Sequence, residues 1–244
     1  MGINSDGSHS KPMKQDEGIM SGKIIRVRIW DLPVRLFHWT LVLLLAFSWF
    51  SGKKGGDWLS WHFLSGYAIL ALLLFRLAWG CLGSTYARFS HFLRGPRAIL
   101  AYLSGRNAAA SFGHNPLGAL MILALLALLF LQVATGLFAD DDIMTEGPFG
   151  EWVSSGTRDI LTTIHRINID VILVLVAIHV LAALYYLAVK RENLIGAMIR
   201  GWRALPSPDP AKVRFVSPLW ALALFIAASF LVWGLVCLGW AGGS

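Results

Sequence analysis

The sequence predicts an all-α membrane protein: a four-helix transmembrane bundle with its N-terminus inside, followed by a fifth, C-terminal transmembrane helix. Three observations carry that prediction. Five apolar stretches are long enough to cross a bilayer, basic residues alternate between the segments that join them, and four histidines lie inside the apolar stretches.

A spanning helix needs roughly 20 apolar residues. LGALMILALLALLFLQVATGLF (117–138) and LWALALFIAASFLVWGLVCLGW (219–240) supply them without one charge. Residues 160–189 make a longer stretch, interrupted by His165, Arg166, Asp170 and His179. WHFLSGYAILALLLFRLAWG (61–80) is apolar up to Arg76, and PVRLFHWTLVLLLAFSWF (33–50) keeps its charge in the first turn. Pro33 and Pro116 stand where a helix start tolerates proline. Composition agrees: 56% of residues are hydrophobic and 14% charged, against about 25% charged in soluble domains. Eleven Trp suit the aromatic belts at a membrane interface.

Lys and Arg orient the spans. The segment through Arg35 carries six of them, the first loop only Lys53 and Lys54, and the segment from Arg76 to His114 five. The next loop has Arg158 alone against Asp140, Asp141, Asp142, Glu146, Glu151 and Asp159; the segment from Lys190 to Arg214 carries six, and the C-terminal tail none. Segments one, three and five are therefore inside. The net charge of +7 reflects this topology and a basic face near anionic lipid, which argues against a nucleic-acid partner. The domain reading is a disordered cytoplasmic tail over 1–23, with no apolar core of the signal-peptide kind, a bundle over 24–200, a cytoplasmic linker over 201–216 and the extra helix over 217–244. Cys81 and Cys237 form no C-x-x-C-H, zinc or disulfide pattern.

His38, His62, His165 and His179 are the chemistry. Polar groups inside spans face a bundle interior and mark function by default. His165 and His179 are fourteen residues apart, roughly 21 Å along a helix axis and about 40° in rotation, so both face one side. His62 opens an outside-to-inside span and His38 an inside-to-outside one. Depth therefore pairs His62 with His165 near the outer surface and His38 with His179 near the inner. Imidazole suits Fe, Zn and Cu, but two nitrogens without thiolate or carboxylate complete a site only when the metal brings its own equatorial ligands. A haem does. Helix bundles ligate cofactors in this way, from facing helices. Gly66, one turn after His62, and Gly136 leave room for a flat macrocycle or for close helix packing. Gly118 stands at the inner end of the third span. Arg35 and Arg166, beside ligands, suit haem propionates or lipid phosphates. Asp170 is placed to pair with Arg166 at i,i+4.

These residues carry a resemblance. VRIWDLPVRLFHW (27–39), WHFLSGYAILALLLFRLAWG (61–80), GHNPLGA (113–119), GLFADDDI (136–143) and IHRINIDVILVLVAIHV (164–180) resemble the bacterial cytochrome b561 and nickel–iron hydrogenase cytochrome b family of diheme membrane proteins. The resemblance covers most of residues 25–200, and the fifth span lies beyond it. It implies that His38, His62, His165 and His179 are axial ligands of two b-type haems. It also implies electron transfer across the inner membrane between quinone and a periplasmic redox partner. The motif variants are closest to the branch found with small soluble c-type cytochromes. ADDDI suits docking of a basic cytochrome c by electrostatic steering, or is merely a solvated loop. His114 suits proton acceptance in quinol chemistry, or is a helix-start residue beside an Asn115 cap. His91 is expected to be solvated. No catalytic residue is assigned. Two other readings stay open: an enzyme reducing quinone with a small reductant such as superoxide at the outer haem, and a non-redox transporter using its intramembrane histidines.

Overall fold

Asp31 decides where the first span begins. In the computed structural model, which describes residues 25–93, 95, 104, 116–141, 145–205 and 213–242, its carboxylate accepts from the Val34 N–H at 3.0 Å. That satisfies one of the N–H groups a helix start leaves orphaned. Helix α1 (Leu32–Lys54) follows, with Pro33 in its first turn. Gly55 and Gly56, both at positive φ, make the tight connection to α2 (Trp58–Leu82). A single turn of helix, α3 (Phe89–Phe92), lies beyond α2. The third span is α4 (Pro116–Gly136), the fourth α5 (Ser155–Ala188). A short helix α6 (Leu194–Arg200) precedes the fifth span, α7 (Pro218–Gly242). Five helices are thus long and apolar enough to cross a membrane, one on each of the expected stretches. His9, His114, Asn115 and Asp142 lie outside the described residues.

Helix α2 is the most buried span and α5 the least. α2 packs against α1, α4 and α7, and α4 packs against α5. Leu73 and Trp79 of α2 and Ile172 of α5 are fully buried, and join Val34, Phe37, Leu126 and Leu129 in one core. The Trp79 indole donates to the second oxygen of Asp31 at 3.0 Å, so the residue that caps α1 also fixes α2 beside it. Arg76, a charge within a span, is buried at 5% exposure. It donates to the Ala87 carbonyl at 3.2 Å and lies over the Phe89 ring at 4.8 Å. Its charge thus meets a carbonyl dipole and an aromatic face rather than hydrocarbon.

A two-stranded sheet departs from the all-helical expectation. Strand β1 (Ile25–Arg28) pairs antiparallel with β2 (Trp202–Leu205), Ile25 opposite Leu205 and Arg28 opposite Trp202. The segment 201–216, expected as a plain linker, therefore begins in a sheet. Neither four-residue strand carries a long enough alternating pattern to announce itself; pairing across the whole bundle creates them. Further on, Arg214 and Val216 bond back to Thr85 and Ser84. These bonds bring the chain to α2, where Phe225 of α7 meets Phe75 edge-on at 6.1 Å. At the outer end the Trp152 indole donates to the Gly239 carbonyl at 3.1 Å. The fifth helix is thus held at both ends against α2.

Asp31→Ala removes a cap and strands the buried Trp79 N–H, a combined cost of about 2–4 kcal/mol. Thermal unfolding of the detergent-solubilised protein, followed by circular dichroism, should show a lower midpoint for Asp31→Ala. Asp31→Asn, which can still cap, should lose less.

Candidate functional site

The four histidines meet in two pairs, as depth and rotation require. His62 of α2 and His165 of α5 have ring centroids 6.1 Å apart, with planes at 84°. His38 of α1 and His179 of α5 are 6.5 Å apart at 55°. Helix α5 contributes to both pairs, because its histidines lie on one face. Among the described residues no group of three or more His, Cys, Asp or Glu gathers to hold a metal ion.

The outer pair is held by main-chain carbonyls. His62 Nδ1 lies 2.8 Å from the carbonyl oxygen of Ser48 on α1, and His165 Nδ1 lies 2.9 Å from that of Gln132 on α4. A carbonyl oxygen only accepts, so each Nδ1 carries the proton. Each Nε2 is left with a lone pair, the form in which imidazole binds a metal. Weaker approaches at 3.3 Å come from Ser48 Oγ to His62 Nδ1 and from Thr135 Oγ to His165 Nδ1. The Gln132 amide donates to the His165 carbonyl at 3.0 Å, and Asn168 donates to Gln132 Oε1 at 2.8 Å and to Leu128 O at 2.9 Å. The inner pair differs: His38 Nδ1 is buried without a hydrogen-bond partner, and Trp39 packs edge-on against the ring at 5.0 Å.

A cavity of about 370 Å³ opens at the outer pair, lined by His62, His165, Gly66, Gly136, Tyr67 and Arg166 among others. The two glycines expected to make room do so differently. A Cβ on Gly66 would meet nothing within 4 Å, so Gly66 widens the cavity. A Cβ on Gly136 would come within 2.8 Å of His165 Cε1, so Gly136 makes room for the imidazole itself. The residues fit a b-type haem. Metal–imidazole bonds of about 2 Å on both sides of one iron, with each ring centre about 1 Å beyond its nitrogen, put two centroids roughly 6 Å apart. Both pairs have that spacing, and an open cavity with a nearby cation adjoins the outer one.

Other expected residues lie as follows. Arg166 is exposed and borders the cavity. Arg35 donates to the Ile199 carbonyl at the C-terminus of α6, so part of its guanidinium serves the inner fold. Asp170 is exposed and sits about 140° round α5 from His165. Gly118 is half-buried at the start of α4, and His91 is half-buried with its ring edge-on to Tyr86 at 5.0 Å. In the outer loop Arg158 bridges Asp140 at 2.9 Å and Glu146 at 2.7 Å. That pairing engages two of the loop's acids, and Glu151 and Asp159 are exposed. Cys81 and Cys237 are free thiols. Sequence reading missed Ser48, Gln132, Thr135 and Asn168. Their signal was available as polar side chains within apolar helices, which lipid does not tolerate without a partner.

Five helices fit to span a membrane, together with the family match, define a multi-pass membrane cytochrome b, an electron-transfer protein. The chain belongs to the prokaryotic cytochrome b561 family, whose model matches residues 29–201; the match ends before α7. Similar proteins include the probable Ni/Fe-hydrogenase B-type cytochrome subunits of three bacteria. That of Azotobacter vinelandii is 27% identical, over 75% of this chain and 91% of the relative. That of Rhizobium leguminosarum bv. viciae is 28% identical, over 72% and 88%. That of Escherichia coli (strain K12), from hydrogenase 1, is 24% identical, over 75% and 93%.

Gly66→Leu should put a side chain into the outer cavity without touching neighbouring backbone. We expect purified Gly66→Leu protein to keep its helical content by circular dichroism and to carry less haem per chain than the parent by absorption.

Proposed function

We propose that the chain holds two b-type haems by paired histidines, His62 with His165 near the outer surface and His38 with His179 near the inner. We further propose that it transfers electrons across the inner membrane between the quinone pool and a redox partner on the periplasmic side. The observation that carries this reading is the repeated pair, 6.1 and 6.5 Å between ring centroids, on a shared helix. When bound, haem supplies a one-electron couple whose potential follows from axial ligands, burial and nearby charge. The chain's own residues do the rest. The Ser48 and Gln132 carbonyls hold the outer imidazoles in the ligating tautomer. Arg166 offers a cation to propionates at the outer cavity. Helix α5 sets the spacing of the two sites at roughly 21 Å, with apolar side chains between them that exclude water.

The partner binds on the outer face. The names of the relatives, which are hydrogenase cytochrome subunits, support a periplasmic hydrogenase, and the motif variants support a c-type cytochrome. The Arg158 bridges disfavour strong electrostatic steering by Asp140 and Glu146, and exposed Glu151 and Asp159 offer acidic contacts to a basic cytochrome.

The purified protein should show reduced-minus-oxidised b bands with two haems per chain, and an added quinol should reduce them. His165→Ala and His179→Ala should each leave one haem. A colourless preparation would point instead to the non-redox transporter reading. Two haems retained in both variants would break the ligand assignment. Bands that no quinol reduces would remove the quinone pool from the reading.

A further inference from the structure

Two five-residue stretches on different helices treat the outer histidines alike. SWFSG (48–52) lies on α1 and faces His62 of α2; QVATG (132–136) lies on α4 and faces His165 of α5. In each, the carbonyl of the first residue receives the imidazole N–H, Ser48 at 2.8 Å and Gln132 at 2.9 Å. In each, the hydroxyl of the fourth residue lies within hydrogen-bond reach of that same carbonyl, Ser51 Oγ at 3.1 Å and Thr135 Oγ at 3.0 Å, and the Thr135 hydroxyl also reaches the Leu131 carbonyl at 2.8 Å. In each, the fifth residue is glycine. A Cβ there would stand 2.9 Å from His62 Nδ1 at Gly52, and 2.8 Å from His165 Cε1 at Gly136.

The spacing has a physical cause. In a helix the carbonyl of residue i points along the axis toward residue i+4, whose side chain lies on the same face. A ring that reaches the second lone pair of carbonyl i from outside must cross the volume where the Cβ of residue i+4 would be. Glycine at that position opens the carbonyl to a group from a neighbouring helix. The bond then fixes the ring's orientation and makes its other nitrogen more basic. His38 Nδ1, buried without a partner, receives no such bond, so the device distinguishes the outer pair.

We propose that SWFSG and QVATG are matched positioning motifs, in which Gly52 and Gly136 admit the His62 and His165 imidazoles to the Ser48 and Gln132 carbonyls and thereby build the outer ligand pair. The proposal rests on the haem-ligand reading of the four histidines and deepens it. Gln132 adds a second connection through its side chain, which with Asn168 ties α4 to the backbone at His165.

The test uses the full-length protein and reads haem stoichiometry, the low-spin absorption spectrum and the two midpoint potentials. Gly52→Ala and Gly136→Ala should each lose one of the two haems, or turn it high-spin, and leave the other unchanged. Alanine favours a helix more than glycine does, so loosening of the helix cannot produce that result. Gly234→Ala on α7, where an added Cβ meets nothing, should match the parent in all three readouts. Thr135→Val, which keeps the shape and removes the hydroxyl, should shift one midpoint and leave the other in place. If His62→Ala and His165→Ala keep both haems, the ligand reading itself fails. If those two lose one haem while Gly52→Ala and Gly136→Ala keep both haems with parental spectra and potentials, the ligand reading stands and the positioning motif is overturned.

Discussion

An imidazole N–H inside a bilayer must be given an acceptor, and the outer half of this molecule is organised by that requirement. An unsatisfied donor in hydrocarbon costs several kcal/mol. The acceptors are carbonyls of neighbouring helices, which are normally engaged by their own helix. Access to them demands glycine four residues on, and close helix packing. The pairing of α1 with α2 and of α4 with α5 therefore serves two purposes. It buries apolar surface, and it brings the Ser48 and Gln132 carbonyls to His62 and His165.

The inner half is organised by different means. Asp31 caps α1 and holds the Trp79 indole; Arg76 is taken up by Ala87 and Phe89; Arg35 reaches Ile199. These groups fasten helix ends to one another and to the loop beyond α2. They leave His38 without a carbonyl of its own. The two halves thus offer unequal environments to the two histidine pairs. Ligand basicity and local charge tune a haem's potential, so unequal environments would give two bound haems unequal potentials.

The fifth helix packs against the bundle and contributes Ala221 and Ala228 to its core. It lies on α2, with Trp152 and the Thr85–Arg214 bonds at its two ends, and the family match stops before it. Its exposed residues, Trp220, Phe230 and Trp233 among them, are of the kind that meets lipid. It covers one side of α2, the most buried of the five spans.

Much of this was legible in the chain itself. The number, order and orientation of the spans follow from apolar length and from Lys and Arg, because those signals are local and additive along the sequence. The pairing of His62 with His165 and of His38 with His179 followed from helical periodicity and depth alone. What the sequence could not determine was whatever depends on two helices meeting. The β1–β2 sheet joins segments over 170 residues apart, with no local pattern strong enough to mark either strand. The role of Gly136 changed for the same reason: alone it is a small residue that makes space, and beside α5 it is the opening through which His165 reaches a carbonyl. Asp140 and Glu146 read as free acid groups until Arg158, more than ten residues on, folds back between them. A sequence determines which groups must find partners; only the packed helices decide which partners they find.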